Sequence, residues 1–391
     1  MKKILVASTA LVAASVMSAG AASASEKIKL ELGGFSKWWV VGAWQDDSFQ
    51  ANRNALGAQG DYNSVDIKGD NEIFFSGSTT LNNGMNVGVN IELEAGGNHN
   101  ANGANSDSAD LIDKSNVFIS GGFGKFIVGT EANGTALLHV MAPDAAANID
   151  SDGILTGGWA IVRPDAVNGV QVTTAIDTDG DAEGITYVAP TFYGLTLGAS
   201  YKPNSSQDTR AASRINGNAD VTAGEIYGVG GLYANTFGGV DLKVSAGWAT
   251  YDLNQGAANA QGKDGVQEYA FGTQLAYAGF TVGGSYRKLN SDAGANNTAV
   301  LPESRTWDAG IQYASGPYAV SLFYFNSKSA GTQNVAGDDE FTVYQLSGKY
   351  ALGPGVDVLA TIGHAEYEDE TNLAQNENKG WSVMTGLSLA F

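Results

Sequence analysis

Oxygen-bearing side chains at alternate positions are the first residues in this chain with spacing that suggests chemistry. Asp177, Asp179, Asp181 and Glu183 recur at every second residue. Hard cations such as Ca²⁺ take ligands of this type. The run departs from the EF-hand pattern, because Ala182 stands at the sixth position, where glycine is needed, and no Glu occupies the twelfth. A structural calcium at Asp177, Asp179, Asp181 and Glu183 is therefore one reading, and a plain acidic turn is the other. Three histidines, His99, His139 and His364, lack metal-ligand spacing, and there are no cysteines. The glycine-rich stretch at 228–231 follows a strand pattern with no helix after it, which does not support a phosphate loop. Nothing marks a nucleophile with its base, so the expectation is a protein without catalysis or an organic cofactor.

The remaining charges fall into a pattern of faces. In 85–96, Val87, Val89, Ile91, Leu93 and Ala95 alternate with Asn86, Gly88, Asn90, Glu92 and Glu94. In 239–251, Val240, Leu242, Val244, Ala246 and Trp248 alternate with Asp241, Lys243, Ser245 and Gly247. The last segment, 379–391, alternates too, and only Met384 breaks the small or polar parity. A period of two is the signature of strands, and polar residues on the second face put it in water. Lys37, Lys125, Lys202, Lys243, Arg287, Lys349 and Glu72 share the parity of that wet face. Arginine at Leu242 or Val244 should therefore damage the fold, whereas arginine at Ser245 should be tolerated.

The elements that position these faces number sixteen: 30–44, 70–81, 85–96, 114–121, 123–131, 183–190, 194–202, 224–235, 239–251, 266–278, 280–289, 305–315, 317–327, 340–351, 355–365 and 379–391. Their linkers alternate between tight Gly, Pro or Asn turns and long acidic stretches. A lipid-exposed, water-filled antiparallel β-barrel with short turns at one end and long loops at the other has this layout. Aromatics gather near both ends of the segments, as interfacial belts require. The chain opens with Met-Lys-Lys and an apolar run, then reaches Ala22-Ser23-Ala24, which fits a cleaved signal peptide over 1–24. Residues 25–391 then form a single barrel domain. The formal net charge of −20 makes nucleic acid an unsuitable partner.

With these residues in hand, the chain resembles the general porins of the Gram-negative outer membrane, of the alphaproteobacterial type. The resemblance rests on the leader, the sixteen segments, Gly386-Leu387-Ser388-Leu389-Ala390-Phe391, and Gly122-Phe123-Gly124-Lys125-Phe126-Ile127-Val128-Gly129-Thr130. It implies a homotrimer in outer-membrane lipid and lipopolysaccharide, one passive diffusion pore per subunit for small hydrophilic solutes and ions, and Phe391 as the signal for the barrel-assembly machinery. It also implies short periplasmic turns, long external loops and a third loop, about 132–182, folded into the lumen. That loop holds Asp144, Asp150, Asp152 and Asp165 with Arg163 as its one Lys or Arg. Its apolar pieces, Ala136-Leu137-Leu138, Ile154-Leu155 and Trp159-Ala160-Ile161-Val162, suit packing against the wall. Pro143-Asp144 is at best a remnant of the acidic tip motif many porins carry. The expected pore lining is Asp144, Asp150, Asp152, Asp165, Arg163, Lys37, Lys125, Lys243, Glu72, Glu92 and Glu94, with a weak to moderate preference for cations. The rival readings are a channel that prefers one nutrient, an outer-membrane enzyme and an adhesive barrel.

Overall fold

A computed structural model describes residues 27–58, 60–97, 112–149, 154, 156–205, 223–253, 265–291, 303–331, 335–371 and 373–391. The leader expected over 1–24, His99, Asp150, Asp152 and Leu155 lie outside these residues.

Sixteen strands follow in chain order: β1 (Glu31–Gln45), β2 (Val65–Thr80), β3 (Asn86–Gly97), β4 (Lys114–Gly121), β5 (Gly124–Thr130), β6 (Glu183–Val188), β7 (Leu195–Asn204), β8 (Ala223–Phe237), β9 (Val240–Leu253), β10 (Val266–Tyr277), β11 (Phe280–Asn290), β12 (Ser304–Ser315), β13 (Tyr318–Ala330), β14 (Asp338–Gly353), β15 (Val356–Glu368) and β16 (Asn378–Ala390). Each pairs antiparallel with its sequence neighbours, and β1 closes on β16, so the sheet is a barrel without an edge. Closure satisfies every strand's backbone groups internally, the condition for crossing lipid with strands. The last residue takes part: the Phe391 N–H donates to the Gly34 carbonyl, and the Gly34 N–H donates back to Phe391, both at 3.0 Å.

The turns obey their chemistry. Gly238-Gly239 and Ala278-Gly279 have positive φ at both positions, the twist that two-residue hairpins need. The short-turn and long-linker alternation expected from the sequence is present, with two differences. Strand β2 begins at Val65, several residues before the expected 70. The linker before it also holds a helix, α1 (Asp47–Ala55), whose N-terminus is capped by Asp46 accepting from the Ser48 N–H at 2.7 Å.

Faces follow the parity read from the sequence. Trp38, Val40, Val244, Leu322, Val383 and Leu387 are exposed on the outside. Rings cluster at both rims: Phe280 with Tyr313 (4.6 Å) and Tyr318 with Tyr350 (4.9 Å) near the short turns, and Trp307 with Tyr324 (4.7 Å) and His364 with Trp381 (4.9 Å) near the long loops.

The inner face differs from the uniformly wet wall that parity suggests. Trp39 and Val41 on β1, Phe323 and Phe325 on β13, Phe341 and Val343 on β14, Leu359, Ala365 and Tyr367 on β15, and Met384 on β16 share one buried apolar cluster. They carry inward parity, and their cover is the segment between β5 and β6, which contributes Ala142, Ala146, Ile154, Trp159, Ala160, Ile161, Val167 and Val170. The Met384 irregularity thus marks a place where the wall is roofed. The adjacent tryptophans separate accordingly: Trp38 is 49% exposed outside, and Trp39 is 1% exposed beneath the segment.

Candidate pore lining and the third loop

The segment from Glu131 to Ala182 holds to the inner wall through a line of hydrogen bonds. The Gly134 N–H donates to Ser200 Oγ on β7 (2.5 Å) and the Val140 N–H to Ser245 Oγ on β9 (3.0 Å). The Ala142 N–H reaches Asp308 on β12 (3.0 Å) and the Ala145 N–H reaches Ser321 on β13 (2.8 Å). Asn148 donates to Thr361 on β15 (2.6 Å), Thr156 donates to Gln345 on β14, and the Val162 N–H donates to Gln45 on β1 (2.9 Å). The return stretch binds Asp339 through the Asn168 N–H (2.6 Å) and Ser327 through the Gln171 N–H (2.8 Å). Small inward residues make this approach fit. A Cβ on Gly272 of β10 would lie 1.8 Å from the Val140 carbonyl oxygen, so only glycine leaves room there.

The two ends of this segment are fixed by charge. Lys202 on β7 is buried against Asp179 at 2.5 Å and also donates to the Glu131 carbonyl. Arg287 on β11 is buried between Glu268 of β10 and Asp177, each at 2.7 Å. Breaking one side of such a buried pair costs roughly 3–5 kcal/mol, because the remaining charge is uncompensated. Asp181 stands 4.0 Å from Lys114 of β4. Burial pushes the Asp181 carboxyl up to about 7, against the opposing pull of Lys114 and Lys202. Burial likewise raises Glu131 and Asp177. Burial also holds His139 down to about 4, with Arg287 adding to the effect, so its ring is neutral at ordinary pH. Its Nε2 lies 3.2 Å from the Thr174 hydroxyl.

These contacts disperse the acids read as calcium ligands. Asp177 goes to Arg287, Asp179 to Lys202 and Asp181 toward Lys114, while Glu183 lies at the start of β6, paired in register with Thr130. Asp177, Asp179 and Asp181 thus face three different cations and not one shared centre.

The other lining candidates separate into groups. Asp144 accepts from Ser321 (3.0 Å), Gln345 (3.1 Å) and the Asn148 N–H (2.9 Å), so it pins the loop as much as it carries charge. Asp165 is exposed, 3.5 Å from Arg53 of α1. Arg163 is half-buried in the same stretch. On the wall, Lys37 pairs with Asp70 across β1 and β2 at 2.9 Å, and Lys114 pairs with Glu92 across β3 and β4 at 3.1 Å. Glu72 and Glu94 are direct register partners on β2 and β3. Lys125 lies 4.3 Å from the Phe118 ring centroid, and Lys243 is exposed on β9. The structure therefore brings Glu72, Glu92, Glu94, Lys37 and Lys125 onto one stretch of wall, β1 to β5, while Lys243 stands apart. Asp70, Lys114, Glu131, Glu268 and Asp308 were missing from the expected lining. Lys114, Glu268 and Asp308 share the inward parity of their strands, a signal that strict alternation could have supplied.

The chain matches the family model described as Gram-negative porin over residues 7–370. No curated protein matches it in sequence. Among solved structures, it resembles an anion-selective porin from Comamonas acidovorans at 15% identity and TM-score 0.59, covering 93% of this chain and 100% of that one. It also resembles the outer-membrane channel DcaP of Acinetobacter baumannii, at 12% identity and TM-score 0.60, covering 94% and 98%. A third likeness is OmpT, an outer-membrane protein of Vibrio cholerae in a trimer form, at 13% identity and TM-score 0.56, covering 94% and 100%. A closed sixteen-strand barrel and a family match across nearly the whole chain make this protein a member of the Gram-negative porin family, a channel-forming β-barrel of the outer membrane.

Proposed function

We propose that the barrel is a water-filled channel for passive diffusion of small hydrophilic solutes and ions, without catalysis, narrowed by the third loop and weakly to moderately cation-selective. The observation that carries this reading is the division of the inner wall. From β13 to β1 the wall carries an apolar cluster between polar anchors and is roofed by the loop, while β1 to β5 keeps Glu72, Glu92, Glu94, Asp70, Lys37, Lys114 and Lys125 on the inward face. Solutes pass between that charged stretch and the loop, where scarce bulk water lets fixed charges act strongly.

Sign of selectivity does not follow from fold, since the Comamonas relative is described as anion-selective. It rests on which charges remain open. Lys202 and Arg287 are cancelled in buried contacts with Asp179, Asp177 and Glu268, so two cationic wall residues drop out of the path. The long-loop rim adds Glu368 and Glu370, with Glu366 3.7 Å from Lys379 and Asp369 buried behind them, and the whole chain carries −20. A negative rim concentrates cations within about one Debye length, ~10 Å at 0.1 M salt.

The mature chain of this proposal is 25–391, assembled as a trimer in lipid and lipopolysaccharide, with Phe391 read by the assembly machinery. The trimer form described for OmpT supports the assembly state. Planar-bilayer conductance of the purified protein tests the channel itself. Stepwise insertions in threes are expected; absence of any conductance from correctly folded barrels would favour an adhesive or enzymatic barrel instead.

A further inference from the structure

Outside the third loop, three carboxylates converge at the long-loop rim. Asp339 opens β14, and Asp369 and Glu370 follow β15. One oxygen from each lies within 4.8 Å of the others. That is about twice a Ca–O bond of 2.3–2.6 Å, the spread of oxygens around one central ion. An acidic cluster alone is not a site, and here a second observation points to a ligand. Asp339 is 2% exposed, and its Oδ2 accepts from the Asn168 N–H at 2.6 Å, but its buried Oδ1 has no hydrogen-bond partner among the described residues. A buried carboxylate oxygen without a partner is costly, and native structures rarely leave one so.

Among the described residues, the surroundings supply no cationic group to the two aspartates. Asp369, 5% exposed, takes its hydrogen bonds from neutral donors: the Thr371 N–H (3.1 Å), the Thr371 hydroxyl and the Asn376 amide (2.9 Å). No ion pair joins Asp339 or Asp369 to a Lys or Arg among the described residues. Glu370 is brought in by two glycines of the preceding loop. A Cβ on Gly331 would lie 2.6 Å from Glu370 Oε2, and one on Gly337, with φ at +136°, would lie 2.7 Å from Glu370 Cβ. Two segments of chain, the start of β14 and the stretch after β15, thus aim oxygen ligands at one point and crowd like charges there.

We infer that Asp339, Asp369 and Glu370 bind a divalent cation, Ca²⁺ by preference, that ties the loops after β13 and β15 to the third loop through Asn168. Carboxylate oxygen without His or Cys suits a hard cation over zinc or copper. Ligands split between a strand start and a loop favour the flexible shell of Ca²⁺ over the near-ideal octahedron that Mg²⁺ demands. The residues are distinct from the Asp177–Glu183 run, where Asp177, Asp179 and Asp181 face Arg287, Lys202 and Lys114.

The experiment is calorimetric titration and thermal unfolding of the full barrel, refolded in detergent free of lipopolysaccharide and stripped with chelator, with CaCl₂ or MgCl₂ as the only additions. Calcium should bind at one site per subunit and raise the unfolding temperature by several degrees, and magnesium should do so more weakly. Asp339→Asn should remove that rise while raising the chelator baseline, since it relieves repulsion; Asp181→Asn should leave the rise intact. Should Asp339→Asn fail to fold, Glu370→Gln carries the same expectation. The inference is overturned if the wild type shows no calcium increment, or if the increment survives in the variant. It is also overturned if acidification from pH 8 to 5 in chelator gives the full stabilisation and calcium at pH 8 gives none, the mark of a shared proton.

Discussion

At the scale of single residues, the side of the sheet decides what a substitution does, and what covers that side decides how much. Val244 faces out and is exposed, so arginine there should cost roughly 2–4 kcal/mol near the midplane and reduce assembly in refolding assays. Ser245 faces in, as parity predicts, yet it lies beneath the third loop and accepts from Val140. The tolerance expected there from the sequence is replaced by loss of that anchor, and the inward position that should accept arginine is Lys243, exposed on the same strand. Equal damage from Val244→Arg and Lys243→Arg would contradict the assigned faces. Asp181 gives a pH effect with a definite sign. Burial raises it from 3.8 to about 7, so between these values the folded chain holds a proton that the unfolded chain releases. The stability tied to this group is present below about pH 4 and is lost as pH rises toward 7. The same titration adds a negative charge beside Lys114. Reversal potentials should shift toward cations between pH 6 and 8, and Asp181→Asn should flatten that shift; an unchanged profile would remove Asp181 from the path.

At the scale of elements, the third loop is held by an apolar seat as much as by polar anchors. Trp159 is buried among the inward residues of the roofed wall, and Trp159→Ala should cost the seat roughly 3–5 kcal/mol. Single-channel records of the variant should show larger and noisier conductance, with the barrel's heat resistance nearly kept. A quiet, unchanged channel would mean that the loop does not depend on this seat. The strands were legible because a two-residue period and Gly-Gly, Ala-Gly or Asn-Gly turns each have a direct physical cause. The loop's apolar pieces were legible too, since a solvated loop has no use for Ile154 or Trp159. Their partners were not. An inward Phe323 or Val343 alternates with an outward Leu322 or Tyr344 in a way that reads as a strand apolar on both faces, and only Met384 stood out from its neighbours. Helix α1 escaped notice because it buries a single residue, Phe49, and so has almost no periodic signal. Contact pairs such as Lys202 with Asp179 join residues far apart in sequence, and parity alone cannot tell a lysine open to water from one sealed under a loop.

At the scale of the whole molecule, the proposed channel is an aqueous path whose ion preference is set by a charged strip of wall and an acidic rim. The strip is close to balanced, because Lys37 offsets Asp70 and Lys114 offsets Glu92. The rim therefore tips the sign, and rim charges are screened by salt. The measurement that tests this most directly is the reversal potential of the purified protein in a planar bilayer across a KCl gradient, repeated at low and at high mean salt. A cation-selective potential that shrinks as salt rises is expected. An anion-selective sign, or a cation preference of the same size at both salt levels, would contradict it.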